Sequence, residues 1–477
     1  MRNTIKMRRL CKFNRQLIFV FNIIFACIVL FTTVQFGVTA GIPEIRKDST
    51  VPTAEINNNY PTELISYIKE QCQLYNSAER KSETYVEIDQ LAYYDNIQFI
   101  KERILKDSCH LMVVLKSDAY GNGIEYLGKV AEFAGVDYIG ITENKEILKL
   151  RSLDIKIPVM RIRLASDNEL TTVHTSPESF GEVEEMVGNL RMARFLSELA
   201  VNQNRIIKIH ISLNTGGMSR DGFDMEIPGM RDSLVLLLKL NNICIKGIMT
   251  HFANADTDEI GELRKLLSEF RVDADWIINK GALNRKDIIL HAAATSLTLR
   301  LPESHLDMVR LGSATYGEKT DKEAPEELKP VMSLFSNVGQ IMFYHAGSKV
   351  GYGSTYQLDK NSYLANVPIG KNNGLPPNIE YALVKGRKVR VVGALSMNAT
   401  MIDITPIYDL VKNGDQVVFI GRQENEEITA EEIWQATGVV PWTLHCNVGQ
   451  LNYDARYPKK LIDKSNDQYF SFKKNSD

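Results

Sequence analysis

Lys116 follows the apolar run Met112-Val113-Val114-Leu115, and a lysine at the end of a buried strand is costly unless it is used. Burial lowers the pKa of an amine and exposes its neutral form, the form that condenses with an aldehyde to an imine. His251 closes a second apolar run, Ile248-Met249-Thr250, and Arg310 closes a third, followed at once by Leu311-Gly312-Ser313. A glycine there lets a phosphate approach backbone N–H groups, and Thr295, after the preceding run, adds a hydroxyl. Each residue alone has a plain structural reading: a strand-end lysine snorkels, and a histidine is satisfied inside a core. Together they set an imine-forming amine, a fixed cation and a phosphate nest at the ends of strands.

Such groups meet only if the strands lie side by side with their C-terminal ends on one face. From about Thr84 to Lys319 short apolar segments alternate with amphipathic helical patterns. The expected strands are Leu111–Leu115, Asp137–Thr142, Val159–Arg163, Thr171–Thr175, Lys208–Leu213, Lys246–His251, Ile288–Ala292 and Asp307–Arg310. Helices are expected at Ile124–Ala134, Lys145–Leu153 and Glu262–Asn279. Eight strand–helix units in this length predict an α/β fold, a TIM (β/α)8 barrel over 84–325, with a doubly wound open sheet as the alternative. Beyond Pro330 the segments Tyr363–Val367, Tyr381–Val384, Val389–Val392, Met401–Ile404 and Gln416–Ile420 are strand-like and punctuated by turns such as Asn413-Gly414. They predict a mostly β C-terminal domain over 326–463, with a polar tail at 464–477.

The chain of 477 residues is 44% hydrophobic and 24% charged with a formal net charge of −3, a globular balance that offers nothing to nucleic acid. Its first 40 residues differ. Arg2, Lys6, Arg8, Arg9, Lys12 and Arg15 precede an apolar run from Leu17 to Phe31 and then Val38-Thr39-Ala40, the order of a secretory signal cleaved after Ala40. An uncleaved membrane anchor is the alternative. Cleavage would take the net charge from −3 to −9, and would place the protein outside the cytoplasm; the family resemblance given below implies the periplasm. Residues 41–83 carry Pro43, Pro52, Pro61 and an Asn run, and read as a linker with a docking helix near Thr62–Tyr75. Cys72, Cys109, Cys244 and Cys446 form no CxxC pair, so no zinc site is expected. In an oxidising compartment Cys72 and Cys109 would form a disulfide; four buried thiols are the alternative.

The run Val114-Leu115-Lys116-Ser117-Asp118-Ala119-Tyr120-Gly121 resembles the cofactor-lysine motif of alanine racemases, barrel-type pyridoxal 5′-phosphate enzymes. So do Gly247–Ala253, Leu299–Gly317, Val350-Gly351-Tyr352-Gly353-Ser354-Thr355-Tyr356, and Gln423–Glu432. Within that family the chain is similar to the periplasmic broad-specificity amino-acid racemases, through Leu213–Arg220, Ser396-Met397-Asn398 and Met160-Arg161-Ile162-Arg163. The resemblance implies that Lys116 is the Schiff-base lysine and the base on one face of the substrate, and Tyr352 the base on the other. It implies that Arg310 faces the pyridine nitrogen, that His251 lies near the ring, and that Tyr120, Thr295, Gly312 and Ser313 hold the phosphate. Arg220 would hold the cofactor phenolate and the substrate carboxylate, and Met397 would line the site from a partner subunit. The implied protein is a head-to-tail homodimer acting on free amino acids, with Tyr352 and Met397 working across the interface. A phenol with an ordinary pKa of ~10 must be shifted down to serve as a base. A protonated guanidinium at the pyridine nitrogen limits carbanion build-up and so suppresses transamination.

Four positions depart from the pattern. Lys371 stands where these racemases carry a channel-gating tyrosine, and a cation there would favour an acidic substrate side chain or slow entry. Ser212 falls where alanine racemases have a carbamylated lysine, Ala294 replaces a polar residue near the phosphate, and the late phosphate-binding tyrosine has no clean match at Gln450 or Tyr453. Broad amino-acid racemisation is the expected activity. An alanine-specific racemase, a barrel-type decarboxylase and a non-enzymatic cofactor-binding relative are the alternatives.

Overall fold

The computed structural model describes residues 54–55, 60–76, 82–106 and 108–462. The expected signal at 1–40, most of the expected linker and the expected polar tail at 464–477 lie outside the described residues. Eight parallel strands follow one another around a sheet: β1 (His110–Val114), β2 (Tyr138–Ile141), β3 (Val159–Arg161), β4 (Val183–Val187), β5 (Ile207–Ser212), β6 (Ile243–Met249), β7 (Ile289–His291) and β8 (Met308–Leu311). β8 pairs with β1, and the seam between β7 and β8 is crossed by Asp307 N–H to Leu290 O at 3.1 Å and Arg310 N–H to Ala293 O at 2.9 Å. The sheet is therefore a nearly closed barrel, which removes the open-sheet alternative.

Seven of the eight expected strands are present within a few residues. The segment Thr171–Thr175 is instead the end of helix Asp167–Thr175, started by a capping box in which Ser166 and Glu169 satisfy each other's backbone N–H groups. The missing strand is β4, whose adjacent Glu184 and Glu185 broke the apolar signal. Both carboxylates are buried and paired, Glu184 to His210 inside the barrel and Glu185 to Arg161 and His174 outside it. The barrel interior is filled by Met112, Met160, Met186, Met249 and Met308 with Tyr138, unbranched side chains that adapt to a tapering space.

Tyr85–Ile88, which precedes the barrel, pairs with Met332–Phe335 and Arg456–Pro458 in the second sheet, so the chain enters the β domain before building the barrel. That sheet contains the expected strands at Ser362–Val367, Tyr381–Val384, Arg387–Val391, Thr400–Asp403 and Gln416–Gln423. The docking helix is Thr62–Asn76, with Leu64 and Ile68 buried in the main core. The expected Cys72–Cys109 disulfide is absent. The Cys72 thiol donates to Lys459 O at 3.5 Å, and the Cys109 thiol to His305 O at 3.6 Å. The docking helix turns Cys72 towards the chain's last strands, whereas Cys109 faces the loop before β8.

Candidate active site

Lys116 leaves β1 into an unusual turn. Ser117, Asp118, Ala119 and Tyr120 all adopt left-handed conformations with φ of 55°, 56°, 55° and 54°. Left-handed helix costs L-residues about 1–2 kcal/mol each, so the turn exists only because its surroundings over-determine it. The Asp118 carboxylate accepts from Ile124 N–H at 2.9 Å and from the buried Arg456 at 2.6 Å, and Arg456 also donates to Gly121 O at 3.0 Å. Gly121 (φ +82°) has no room for a side chain, because a Cβ would lie 2.3 Å from His445 O on helix Pro441–Leu451. The β domain thus returns to clamp the loop that carries the lysine.

The turn aims Lys116 Nζ over the Tyr120 ring, 5.6 Å from its centroid. Burial lowers the Lys116 pKa and the nearby Arg220 charge lowers it further, both favouring a free amine. Tyr120 Oη in turn lies against Gly312, where a Cβ would come within 2.6 Å of it. Among the described residues the hydroxyls of Tyr120, Thr295 and Ser313 have no hydrogen-bond partner, although Thr295 is buried. Three idle hydroxyls around a glycine make a cradle for an anion. The local charge agrees: Lys116, Arg220 and Arg310 converge on His251, whose pKa is lowered to about 3 by burial and by those three cations.

Arg310 is held from behind by groups that the sequence reading missed. Its Nη2 donates to Thr250 O at 2.9 Å and Ala292 O at 3.1 Å, and its Nη1 donates to His291 Nδ1 at 3.1 Å. His291 Nε2 meets His210 Nδ1 at 2.8 Å, and His210 Nε2 meets Glu184 Oε2 at 2.8 Å. A guanidinium only donates and a carboxylate only accepts, so every proton in this thread points from Arg310 towards Glu184. Both rings are then neutral with fixed tautomers. Burial, and then the Arg310 charge, push the His291 pKa well down. Burial lowers Arg310 itself to about 10, which still leaves it protonated at neutral pH. The available signal was His210 and His291 on inward-facing positions of β5 and β7, but their partner sits on the strand hidden by its own glutamates.

Two outcomes follow from this thread. Glu184→Leu leaves His210 Nε2–H without an acceptor and frees His291 to change tautomer, so kcat/KM is expected to fall about tenfold or more, as for other groups that orient a binding residue. Abortive transamination, followed by cofactor absorbance, is expected to rise. Glu184→Gln keeps an accepting oxygen and should restore most of both, and equal damage by the two variants would show that the thread positions nothing. The second outcome concerns pH. His251 and His291 are depressed below the ordinary value of 6.5, so unfolding lets each bind a proton that the native state refuses. Their contribution to stability is complete above pH ~6.5 and is lost as pH falls below it, for His251 down to about 3, which a declining urea midpoint between pH 7 and pH 5 would register.

The expected site residues divide into two groups. Lys116, Tyr120, Arg220, His251, Thr295, Arg310, Gly312 and Ser313 stand at the C-terminal mouth of the barrel. Tyr352 and Met397 stand on the β domain, 73% and 58% exposed. Ser212, where a carbamylated lysine would have stood, donates to Asp221 Oδ1 at 3.1 Å, and Arg220 Nε donates to Asp221 Oδ2 at 3.2 Å. A built-in carboxylate therefore stands beside Arg220. Tyr453 lies over the Arg456 guanidinium at 4.6 Å, and Gln450 is exposed.

Residues 88–320 match the alanine racemase N-terminal domain and residues 331–457 the alanine racemase C-terminal domain. The chain belongs to the alanine racemase family. It is 36% identical over 360 residues to the lysine racemase of Proteus mirabilis, covering 75% of this chain and 85% of the relative. It is 37% identical over 386 residues to a broad specificity amino-acid racemase of Pseudomonas taetrolens, covering 80% and 90%. Among solved structures it superposes on an alanine racemase from D-cycloserine producing Streptomyces lavendulae with a TM-score of 0.70 at 26% identity, covering 80% of this chain and 98% of that one. The protein is a pyridoxal 5′-phosphate-dependent racemase of this family. The residues present fit that cofactor. Lys116 offers its aldehyde an amine shifted towards the free base, Arg310 offers a fixed donor for its pyridine nitrogen, and the idle hydroxyls of Tyr120, Thr295 and Ser313 a cradle for its phosphate.

Proposed function

We propose that this racemase interconverts L- and D-forms of several free amino acids by proton transfer between two bases on opposite faces of Cα. The observation that carries the reading is Lys116, an amine held towards its neutral form at the barrel mouth and surrounded by cations that match a phosphate and a carboxylate. Pyridoxal 5′-phosphate, when bound, supplies the electron sink that makes the Cα hydrogen acidic. Arg220 holds the substrate carboxylate, with Asp221 fixing the direction of its guanidinium. Arg310 keeps its own proton and donates only a hydrogen bond. Lys116 Nζ removes or delivers the proton on one face of Cα.

The second base is Tyr352, and its exposure favours a dimer. A residue needed at a buried reaction centre is out of place on an open surface unless a second copy covers it. A head-to-tail homodimer brings Tyr352 and Met397 of each subunit to the other's Lys116. The similarity to racemases named for lysine and for broad specificity favours a broad range over alanine alone. The basic and apolar start of the chain supports export to the periplasm.

The test is α-hydrogen exchange in D2O by the mature holoenzyme with L-alanine, L-lysine, L-arginine, L-serine and L-glutamate. Exchange accompanied by appearance of the D-form is expected on more than one of them. Silence on all five would sink the reading, and exchange on alanine alone would reduce it to an alanine racemase.

A further inference from the structure

We propose that a cationic cleft between the Tyr352 and Met397 loops receives the side-chain carboxylate of the substrate, making acidic amino acids of the glutamate and aspartate class the preferred substrates. The proposal rests on the racemase reading above and adds the substrate class.

The cleft has a volume of about 360 Å³. One wall is Thr355 and Tyr356, from the loop that carries Tyr352, and another is Leu395, from the segment that leads to Met397. Lys371 and Arg390 also line it, with Glu380 as the single carboxylate. Among the described residues none of these three charges is ion-paired, so the cleft has an excess of one positive charge with no protein anion to neutralise it.

Lys371 is placed there by its backbone. Its N–H donates to Ser396 O at 3.1 Å, and the next N–H, of Asn372, donates to Met397 O at 2.9 Å. Gly370 allows this approach, since a Cβ would lie 2.5 Å from Ser396 O and 2.7 Å from Met397 O. On the other side Gly351 bridges to Ala394, tying the Tyr352 loop to the same segment. Lys371 is thus anchored beside the Met397 segment, to which the Gly351–Ala394 bridge also ties the Tyr352 loop.

The α-carboxylate already has a cation at the barrel mouth, Arg220. A second cationic cleft on the side of the site from which Tyr352 approaches therefore suits a second carboxylate. It also repels a side-chain ammonium or guanidinium, and discrimination of this kind comes as much from the repulsion as from the attraction. An uncharged side chain gains or loses little there.

The test compares kcat/KM for L-glutamate, L-aspartate, L-alanine and L-lysine in the holoenzyme and in Lys371→Gln and Lys371→Glu. The wild type is expected to favour glutamate or aspartate over lysine by about tenfold or more. Lys371→Gln is expected to lower kcat/KM for the better acidic substrate about tenfold, chiefly through KM, with a much smaller effect on alanine. Lys371→Glu should invert the order in favour of lysine. A wild type that prefers lysine, or a Lys371→Gln variant that loses acidic substrates and alanine in equal measure, would overturn the proposal while leaving the racemase reading intact. Absence of exchange on every amino acid would overturn both.

Discussion

Lys116→Ala is expected to lower kcat/KM about 10⁴-fold and to abolish the absorbance of covalently held cofactor, because in the proposed mechanism the amine both retains the cofactor and moves the proton. The size of the effect follows from the lack of a substitute. Arg220 and Arg310 stay protonated and cannot accept a proton. His251 is neutral, but with a pKa lowered to about 3 it is a very weak base. Burial raises Tyr120 and pushes the Cys446 thiol up to about 11, so both keep their protons at neutral pH. Of these groups Lys116 alone joins the basicity of an amine to surroundings that shift it towards the free base. Racemisation rates together with cofactor spectra decide the matter. A variant retaining a tenth of wild-type exchange would show that another group carries the proton.

Tyr352→Phe is expected to cost about 10²–10⁴-fold in kcat, the range for loss of a general acid–base group, while the cofactor remains bound through Lys116. Its sharper consequence concerns assembly. If Tyr352 serves the partner's Lys116, then in a heterodimer of Lys116→Ala with Tyr352→Phe both lesions fall in one site and the other site is intact. Random reassortment makes half of the dimers mixed, each with one working site of two, so mixing two dead enzymes should recover about a quarter of wild-type activity. If Tyr352 served its own subunit's lysine, every site in the mixture would carry one lesion and activity would stay near zero. The exposed position of Tyr352 at 73% and Met397 at 58% favours the first outcome.

Much of this was legible in the linear chain because the chemistry lies at strand ends, and strand ends are marked by local apolar runs. Lys116 after Val113-Val114-Leu115, and Arg310 before Leu311-Gly312, needed no tertiary information to be singled out. The β4 strand was not legible for the opposite reason. Glu184 and Glu185 look like surface residues until His210 and Arg161, 26 and 24 positions away, are seen to neutralise them. The Cys72–Cys109 pairing failed in the same way, since an oxidising compartment says nothing of which direction two thiols face.

Lys116 was therefore available from residue type and spacing alone, as were the alternation of strands and helices and the family to which they belong. Folding alone supplied the closure of the barrel, the thread from Arg310 through His291 and His210 to Glu184, and the clamp that Arg456 and Gly121 place on a left-handed turn. The physical reason is range. Periodicity and turn chemistry act over a few residues and leave their marks in the linear text. A buried charge is stable only beside a partner, and that partner is chosen by topology from anywhere along the chain.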